Sequence, residues 1–118
     1  MRLTRPGAGG HGVAMSQTAF DFGYLETFTA GDRQVIAEVL ALFLGQAEAW
    51  AAQLEDPGEG WRDLVHTMKG SARGIGATAL GDICDRAERG DPSQAPEVRA
   101  ALADAVAAIT AYLARART

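Results

Sequence analysis

The chain has 118 residues, with 11 basic and 15 acidic side chains and a formal net charge of −4 at pH 7. This length is typical of a single domain, the 47% hydrophobic content excludes a disordered chain, and the acidic balance argues against a nucleic-acid-binding protein. Polar residues interrupt every apolar stretch and the single cysteine, Cys84, excludes an intrachain disulfide, so we expect a soluble, cytoplasmic domain with no membrane span.

The first 17 residues differ in composition from the rest of the chain. Five Gly or Pro residues lie within positions 6–12, and such a segment buries too little apolar surface to offset the entropy lost on ordering. It also lacks the apolar core of a secretory signal peptide, and Met15 offers an alternative start to the protein. We therefore predict that residues 1–17 form a disordered tail or a cloning remnant, in which His11 has no chemical role, and that residues 18–118 form one domain.

From Phe20 onward, apolar residues recur every three or four positions, which predicts helices separated by loops. A short amphipathic first helix ends at Ala30 and Gly31, and Asp32 is the expected N-cap of a second helix of about five turns. The Pro- and Gly-containing segment 55–60 ends that second helix. The apolar positions of the two helices are Phe20, Tyr24, Leu25 and Phe28, then Val35, Ile36, Val39, Leu40, Phe43, Ala47, Trp50, Ala51 and Leu54.

Three further helices follow. Gly74 and Gly76 mark the end of the third helix, the Gly-Asp-Pro sequence at 90–92 ends the fourth, and Ser93 or Pro96 opens the last. Their apolar positions are Trp61, Leu64, Val65, Met68, Ala72 and Ile75, then Leu80, Ile83, Cys84 and Ala87, then Val98, Leu102, Ala105, Val106, Ile109 and Leu113. Because short loops favour antiparallel neighbours, we predict an all-α fold, an up-down antiparallel four-helix bundle with a short extra N-terminal helix.

The third helix carries a second, basic stripe that lies about 120° from its apolar stripe. Its members are Arg62, His66, Lys69 and Arg73. Gly70 follows His66 by one turn, although glycine in a helix interior costs about 0.5–1 kcal/mol relative to alanine. Because helical side chains lean toward the N-terminus, glycine here leaves space beside the imidazole, and Lys69 leans into that space as a mobile ammonium. An incoming anionic group would fit there.

This arrangement indicates phosphoryl chemistry on the histidine. A neutral imidazole has an unprotonated nitrogen that can act as a nucleophile, and a nearby lysine stabilises the charge on a transferring phosphoryl group. The sequence contains no Gly-x-x-x-x-Gly-Lys-Ser/Thr loop and no kinase-type nucleotide motif, so we expect a phosphoryl carrier and not an enzyme with its own nucleotide site. His66 and Glu88 together fall short of a zinc site, and we expect no metal and no cofactor.

The run His-Thr-Met-Lys-Gly-Ser-Ala-Arg-Gly-Ile-Gly-Ala at 66–77, followed by Leu80, Cys84 and Glu88, resembles the signature of histidine-containing phosphotransfer (HPt) domains. The resemblance extends over nearly the whole chain after the tail. It implies a phosphorelay protein of two-component signal transduction, in which His66 is the phosphoacceptor and Lys69 and Gly70 support it. It also implies that Glu88 approaches the ring, since relatives place a Gln or Glu there, and a carboxylate accepting from Nδ1–H would expose Nε2 for attack.

The resemblance further implies the partners, which are response-regulator receiver domains and a hybrid or ordinary histidine kinase. We expect a monomer that relays the phosphoryl group to or from receiver aspartates and that binds neither nucleic acid nor membrane. Two alternatives stay open. The chain could be the phosphoacceptor domain of a chemotaxis-type histidine kinase, where a glutamate at position 88 is also typical, or a helical docking module that is not phosphorylated.

Several of these residues also have plainer interpretations. Glu88 could pair with Arg86, Arg89 or solvent instead of with the histidine. Arg73 could belong to an ordinary solvated helix face, and Cys84 lies in an apolar stripe, where a buried and inert thiol is expected.

Overall fold

The computed structural model describes residues 20–117, without the side chains at 28, 116 and 117. The predicted tail, its boundary near residue 18, and His11 lie outside the described residues. Residues 20–117 contain helices and no strand. The five α-helices are α1 (Phe22–Phe28), α2 (Arg33–Glu55), α3 (Trp61–Ile75), α4 (Thr78–Glu88) and α5 (Ala95–Arg117), with single 3₁₀ turns at Gly58–Gly60 and Pro92–Gln94.

Helices α2 to α5 form the four-helix bundle that the sequence predicts, with α3 beside α2 and α4, and α5 beside the same two helices. The pair α2 and α5 is antiparallel. Arg99 near the start of α5 donates a hydrogen bond to the Leu54 carbonyl near the end of α2, at 3.3 Å. At the opposite end, Ile36 of α2 and Tyr112 of α5 line one recess. The apolar stripes meet between these helices, and all the predicted apolar positions of α3 are buried there.

The predicted N-cap of α2 is confirmed. The Asp32 carboxylate accepts hydrogen bonds from the backbone N–H groups of Gln34 and Val35, at 3.0 and 3.2 Å. These groups have no partner within the helix, so the cap satisfies donors that would otherwise need water. The chain can turn between α1 and α2 because Ala30 and Gly31 adopt positive φ values of 56° and 75°.

Helix α1 is shorter than predicted and packs differently. Phe20 precedes the helix instead of belonging to it, and its buried ring stacks on Phe22 at 4.1 Å between ring centroids. Phe22 in turn stacks on Tyr112 of α5 at 4.2 Å, which attaches α1 to the bundle. Two residues of the predicted apolar stripes, Tyr24 of α1 and Val35 of α2, are substantially exposed, at 45% and 39%.

Helix α2 bears on the expectation of no membrane span. By length and composition alone it could cross a membrane, with a mean hydropathy of 1.5 over its most apolar window. The core helix of a soluble protein meets the same criterion. Ile36, Leu40, Phe43 and Leu54 of α2 are buried in the bundle core, and 28% of the apolar window is buried in all.

The last helix begins at Ala95, between the two predicted starting residues. Asp91 accepts a hydrogen bond from the Ser93 N–H at 2.8 Å, and the Gln94 side chain accepts one from the Asp91 N–H at 3.3 Å. This reciprocal capping box closes a 3₁₀ turn that contains Ser93 and leads directly into α5.

The turn between α3 and α4 depends on Gly76, whereas Gly74 lies within α3. Gly76 has a φ of +88°, and this left-handed conformation lets the Ala77 N–H donate to the Ala72 carbonyl at 2.8 Å. The Gly76 carbonyl also accepts from the backbone N–H of Asp21, at 2.6 Å. A Cβ atom at position 76 would collide with the Asp21 carbonyl, so glycine permits both the turn and the attachment of the segment before α1.

We expect Gly76→Ala to destabilise the protein by about 1–3 kcal/mol, because alanine is strained at this φ and its methyl group displaces Asp21. Urea unfolding measures the effect. Gly45→Ala is the matched control, since a Cβ there meets nothing within 4 Å in the middle of α2 and alanine favours a helix. An unfolding midpoint for Gly76→Ala equal to that of the unmodified protein would contradict this account of the turn.

Candidate functional site

The candidate site lies on the outer face of the hairpin formed by α3 and α4. A buried hydrogen bond joins the two helices at one end, from Trp61 Nε1 to the Ala87 carbonyl at 3.0 Å. Trp61 begins α3 and Ala87 lies at the end of α4, so this bond sets the position of one helix along the other. It places Glu88 opposite His66, and His66 lies a little over one helical turn after Trp61 on α3.

The His66 side chain is 66% exposed, and its Nδ1 atom lies 2.8 Å from Oε2 of Glu88. The Lys69 ammonium beside Glu88 lowers the pKa of that carboxyl, burial opposes the shift, and the hydrogen bond with His66 lowers it further. At neutral pH the carboxylate is therefore ionised and can only accept a hydrogen bond. Nδ1–H must be the donor, which leaves Nε2 of a neutral imidazole unprotonated.

Lys69 is held more firmly than the sequence predicted. Its Nζ atom lies 2.7 Å from Oε1 of Glu88 and 3.4 Å from Oδ1 of Asp85, and only 19% of its side chain is exposed. The contact with Glu88 raises the pKa of Lys69, partly opposed by desolvation, with a smaller contribution from Asp85. The expectation of a mobile ammonium beside the imidazole is therefore wrong for this state, because antiparallel α4 presents two carboxylates to the lysine.

Sequence reasoning missed Asp85. Arg89, the C-cap residue that directly follows α4, contacts Asp85 Oδ2 through Nη1 at 2.9 Å. Arg89 is the main cause of the lowered pKa of Asp85, and Lys69 adds to it against the effect of burial. Asp85 precedes Glu88 by three residues and so lies on the same helix face, which is the signal that could have identified it. Arg89 pairs with Asp85 and not with Glu88, and Glu88 contacts the histidine as the resemblance implied.

Gly70 leaves open space one turn after His66. Its position is exposed, and a Cβ atom built there would meet nothing within 4 Å. The glycine is therefore not required for close packing of helices. A phosphoryl-sized group can approach the imidazole from this side without moving a side chain at position 70.

The surroundings of Arg73 and Cys84 give each residue a structural role. Arg73 contacts Asp82 through Nη2 at 3.6 Å, and its methylene stem lies over Gly81. Cys84 is buried, and desolvation raises the pKa of its thiol to about 12. The thiol is therefore protonated at neutral pH and is not a nucleophile, as the apolar stripe predicted.

Comparison with known proteins identifies the family. The family model described as "Hpt domain" matches residues 25–112, which include the α3–α4 hairpin and its histidine. A crystal structure of the histidine phosphotransferase ShpA from Caulobacter crescentus is 51% identical, covers 84% of this chain and 94% of its own, and superposes with a TM-score of 0.76. A search of curated proteins found no match.

The resemblance inferred from the histidine motif is thereby confirmed, as is the all-α fold. Hpt domains are phosphoryl carriers of phosphorelays that interact with histidine kinases and receiver domains. With a family match over most of its length and 51% identity to a histidine phosphotransferase over 84% of its residues, this chain belongs to the Hpt domain family and is a phosphorelay protein.

Proposed function

We propose that the phosphoryl group is carried on Nε2 of His66, with Lys69, Gly70 and Glu88 as supporting residues. The observation that carries the proposal is the 2.8 Å contact between Nδ1 of an exposed imidazole and an ionised Glu88. The contact fixes the tautomer and the ring orientation, so the nucleophilic lone pair is on the nitrogen remote from the carboxylate.

In the transfer from a receiver domain, the Nε2 lone pair attacks the phosphorus of an aspartyl phosphate. The N–P bond forms, the P–O bond to the aspartyl oxygen breaks, and the electron pair leaves with the aspartate carboxylate. Positive charge develops on the imidazole while Nδ1 keeps its proton, and Glu88 stabilises that charge through the hydrogen bond it already accepts. Transfer to a receiver is the same step reversed.

Lys69 supplies positive charge for the phosphoryl oxygens, and Gly70 leaves room for them and for the partner. Lys69 follows His66 by three residues, so both side chains lie on one helix face. The protein needs no nucleotide site for this role, because the phosphoryl group arrives from a hybrid histidine kinase or its receiver. The interacting side chains all come from α3 and α4 of one chain, so this constellation needs no second copy. We further propose that the protein acts as a monomer in the cytoplasm and binds neither nucleic acid nor membrane.

We expect His66→Gln and His66→Ala to abolish phosphorylation while helical circular dichroism stays unchanged, because the ring is exposed and off the core. The measurement is acid-labile labelling by potassium phosphoramidate, a small phosphoryl donor, and by receiver domains charged with acetyl phosphate. His11→Gln is the control and should label like the unmodified protein. Acid-labile label on His66→Ala would refute the assignment, and an unmodified protein that never labels would favour a docking module.

We expect Lys69→Ala to slow single-turnover phosphorylation of His66 while partner binding changes little. A preorganised charge donor is worth about 2.7–4 kcal/mol at a buried site, and water screens this exposed one, so we expect roughly a tenfold decrease. Arg73→Ala is the matched control, a cation one turn further along α3 that pairs with Asp82. Equal rates for Lys69→Ala and the unmodified protein would assign the lysine a purely structural role.

The series Gly, Ala and Gln at position 70 should move stability and activity in opposite directions. Gly70→Ala should stabilise the fold by about 0.5–1 kcal/mol, because a Cβ there meets open space and alanine favours the helix. Phosphotransfer should fall with side-chain size, since the side chain leans over His66. Thermal unfolding and transfer rates measured on the same three proteins test this. Constant activity across the series would mean that the space has no function.

A further inference from the structure

Five charged or ionisable side chains form one continuous chain of contacts along the α3–α4 face. Arg89 contacts Asp85 at 2.9 Å, Asp85 contacts Lys69 at 3.4 Å, Lys69 contacts Glu88 at 2.7 Å, and Glu88 contacts His66 at 2.8 Å. Lys69 stands in the middle, between two carboxylates. The role proposed for His66 explains only the contact between His66 and Glu88. It does not explain the contacts of Asp85.

The charges of the side chains in this series of contacts balance only before phosphorylation. Two cations, Arg89 and Lys69, face two carboxylates, Asp85 and Glu88. A phosphoryl group on His66 adds about two negative charges beside them. Lys69 lies on the same helix face as His66, and among residues 20–117 its ammonium forms ion pairs with two carboxylates, both on α4. To reach the phosphoryl oxygens, the ammonium has to give up at least one carboxylate.

Asp85 is the carboxylate that Lys69 can leave more readily. Its contact with the ammonium is 0.7 Å longer than that of Glu88 (3.4 against 2.7 Å). Asp85 also keeps a cationic partner after the lysine leaves, because Arg89 holds its other oxygen. Glu88 has no arginine contact of this kind among the described residues, and it is needed at Nδ1 of His66.

We propose, on the basis of the role assigned to His66, that Asp85 is a positioning residue. It holds the Lys69 ammonium against α4 in the unphosphorylated protein and releases it toward the phosphoryl oxygens during transfer. When the lysine leaves, Arg89 remains to balance the negative charge of Asp85. Asp85 thus opposes phosphorylation and Arg89 favours it, although neither residue touches the reacting atoms.

The test uses phosphoramidate as donor. Nε2 attacks the phosphorus, the P–N bond of the donor breaks, and the nitrogen leaves as ammonia with a proton from solvent.

Asp85→Asn should accelerate labelling of His66 by about two- to fivefold, the range expected for a partly exposed ion pair, and Arg89→Gln should slow it by a similar factor. Asp85→Glu, which restores the carboxylate, should be close to the unmodified protein. Asp82→Asn is the control for loss of one negative charge on α4, and its rate should be unchanged, since Asp82 pairs with Arg73.

A double-mutant cycle separates positioning of Lys69 from a general charge effect. If Asp85 acts through the lysine, Asp85→Asn has no effect on the rate in a Lys69→Ala background. The same acceleration in both backgrounds, or a slower Asp85→Asn protein in the Lys69 background, would overturn the inference while leaving His66 as acceptor. Failure of the unmodified protein to label would overturn the proposed function itself. Circular dichroism and thermal unfolding of each variant confirm that it is folded, and Arg89→Gln tests the opposite sign independently.

Discussion

The register between α3 and α4 is the constraint on which the site depends. It is fixed by a buried hydrogen bond from Trp61 to the Ala87 carbonyl and by the apolar residues packed beneath it. A shift of α4 by one residue would rotate its carboxylates by about 100° away from α3. Glu88 would then no longer face His66. The exposed imidazole of His66 is thus positioned by groups that are themselves buried, which provides precision without enclosing the histidine.

The site combines a fixed imidazole orientation with open space beside the ring. Glu88 immobilises one ring nitrogen of His66, whereas the position of Gly70 leaves the neighbouring volume empty. A carrier must present its phosphoryl group to the active sites of other proteins, so enclosure in a pocket would defeat its purpose. The consequence is that water screens the charges here, and differences in electrostatic free energy are small. Small differences suit a carrier that has to donate as readily as it accepts.

Local signals predicted much of this structure and contacts between distant segments account for the remainder. Helical periodicity sufficed for α3, and the Asp32 cap depends only on two backbone N–H groups within the next three residues. The exposure of Tyr24 and the attachment of α1 through Tyr112 depend on packing between segments far apart in the chain. The motif indicated His66 and its neighbours on α3 as the candidate site. It could not reveal that Lys69 is held by carboxylates, because that contact requires the relative position of a second helix.

The buried cysteine has a practical consequence. Cys84 is the only thiol of the chain, and it lies on the core face of α4, one residue before Asp85. A thiol reagent can reach it only when α4 separates from the bundle, and the same opening would dismantle the carboxylate face opposite His66. The rate of thiol modification under native conditions therefore reports how often the site is transiently lost, independently of any phosphoryl chemistry.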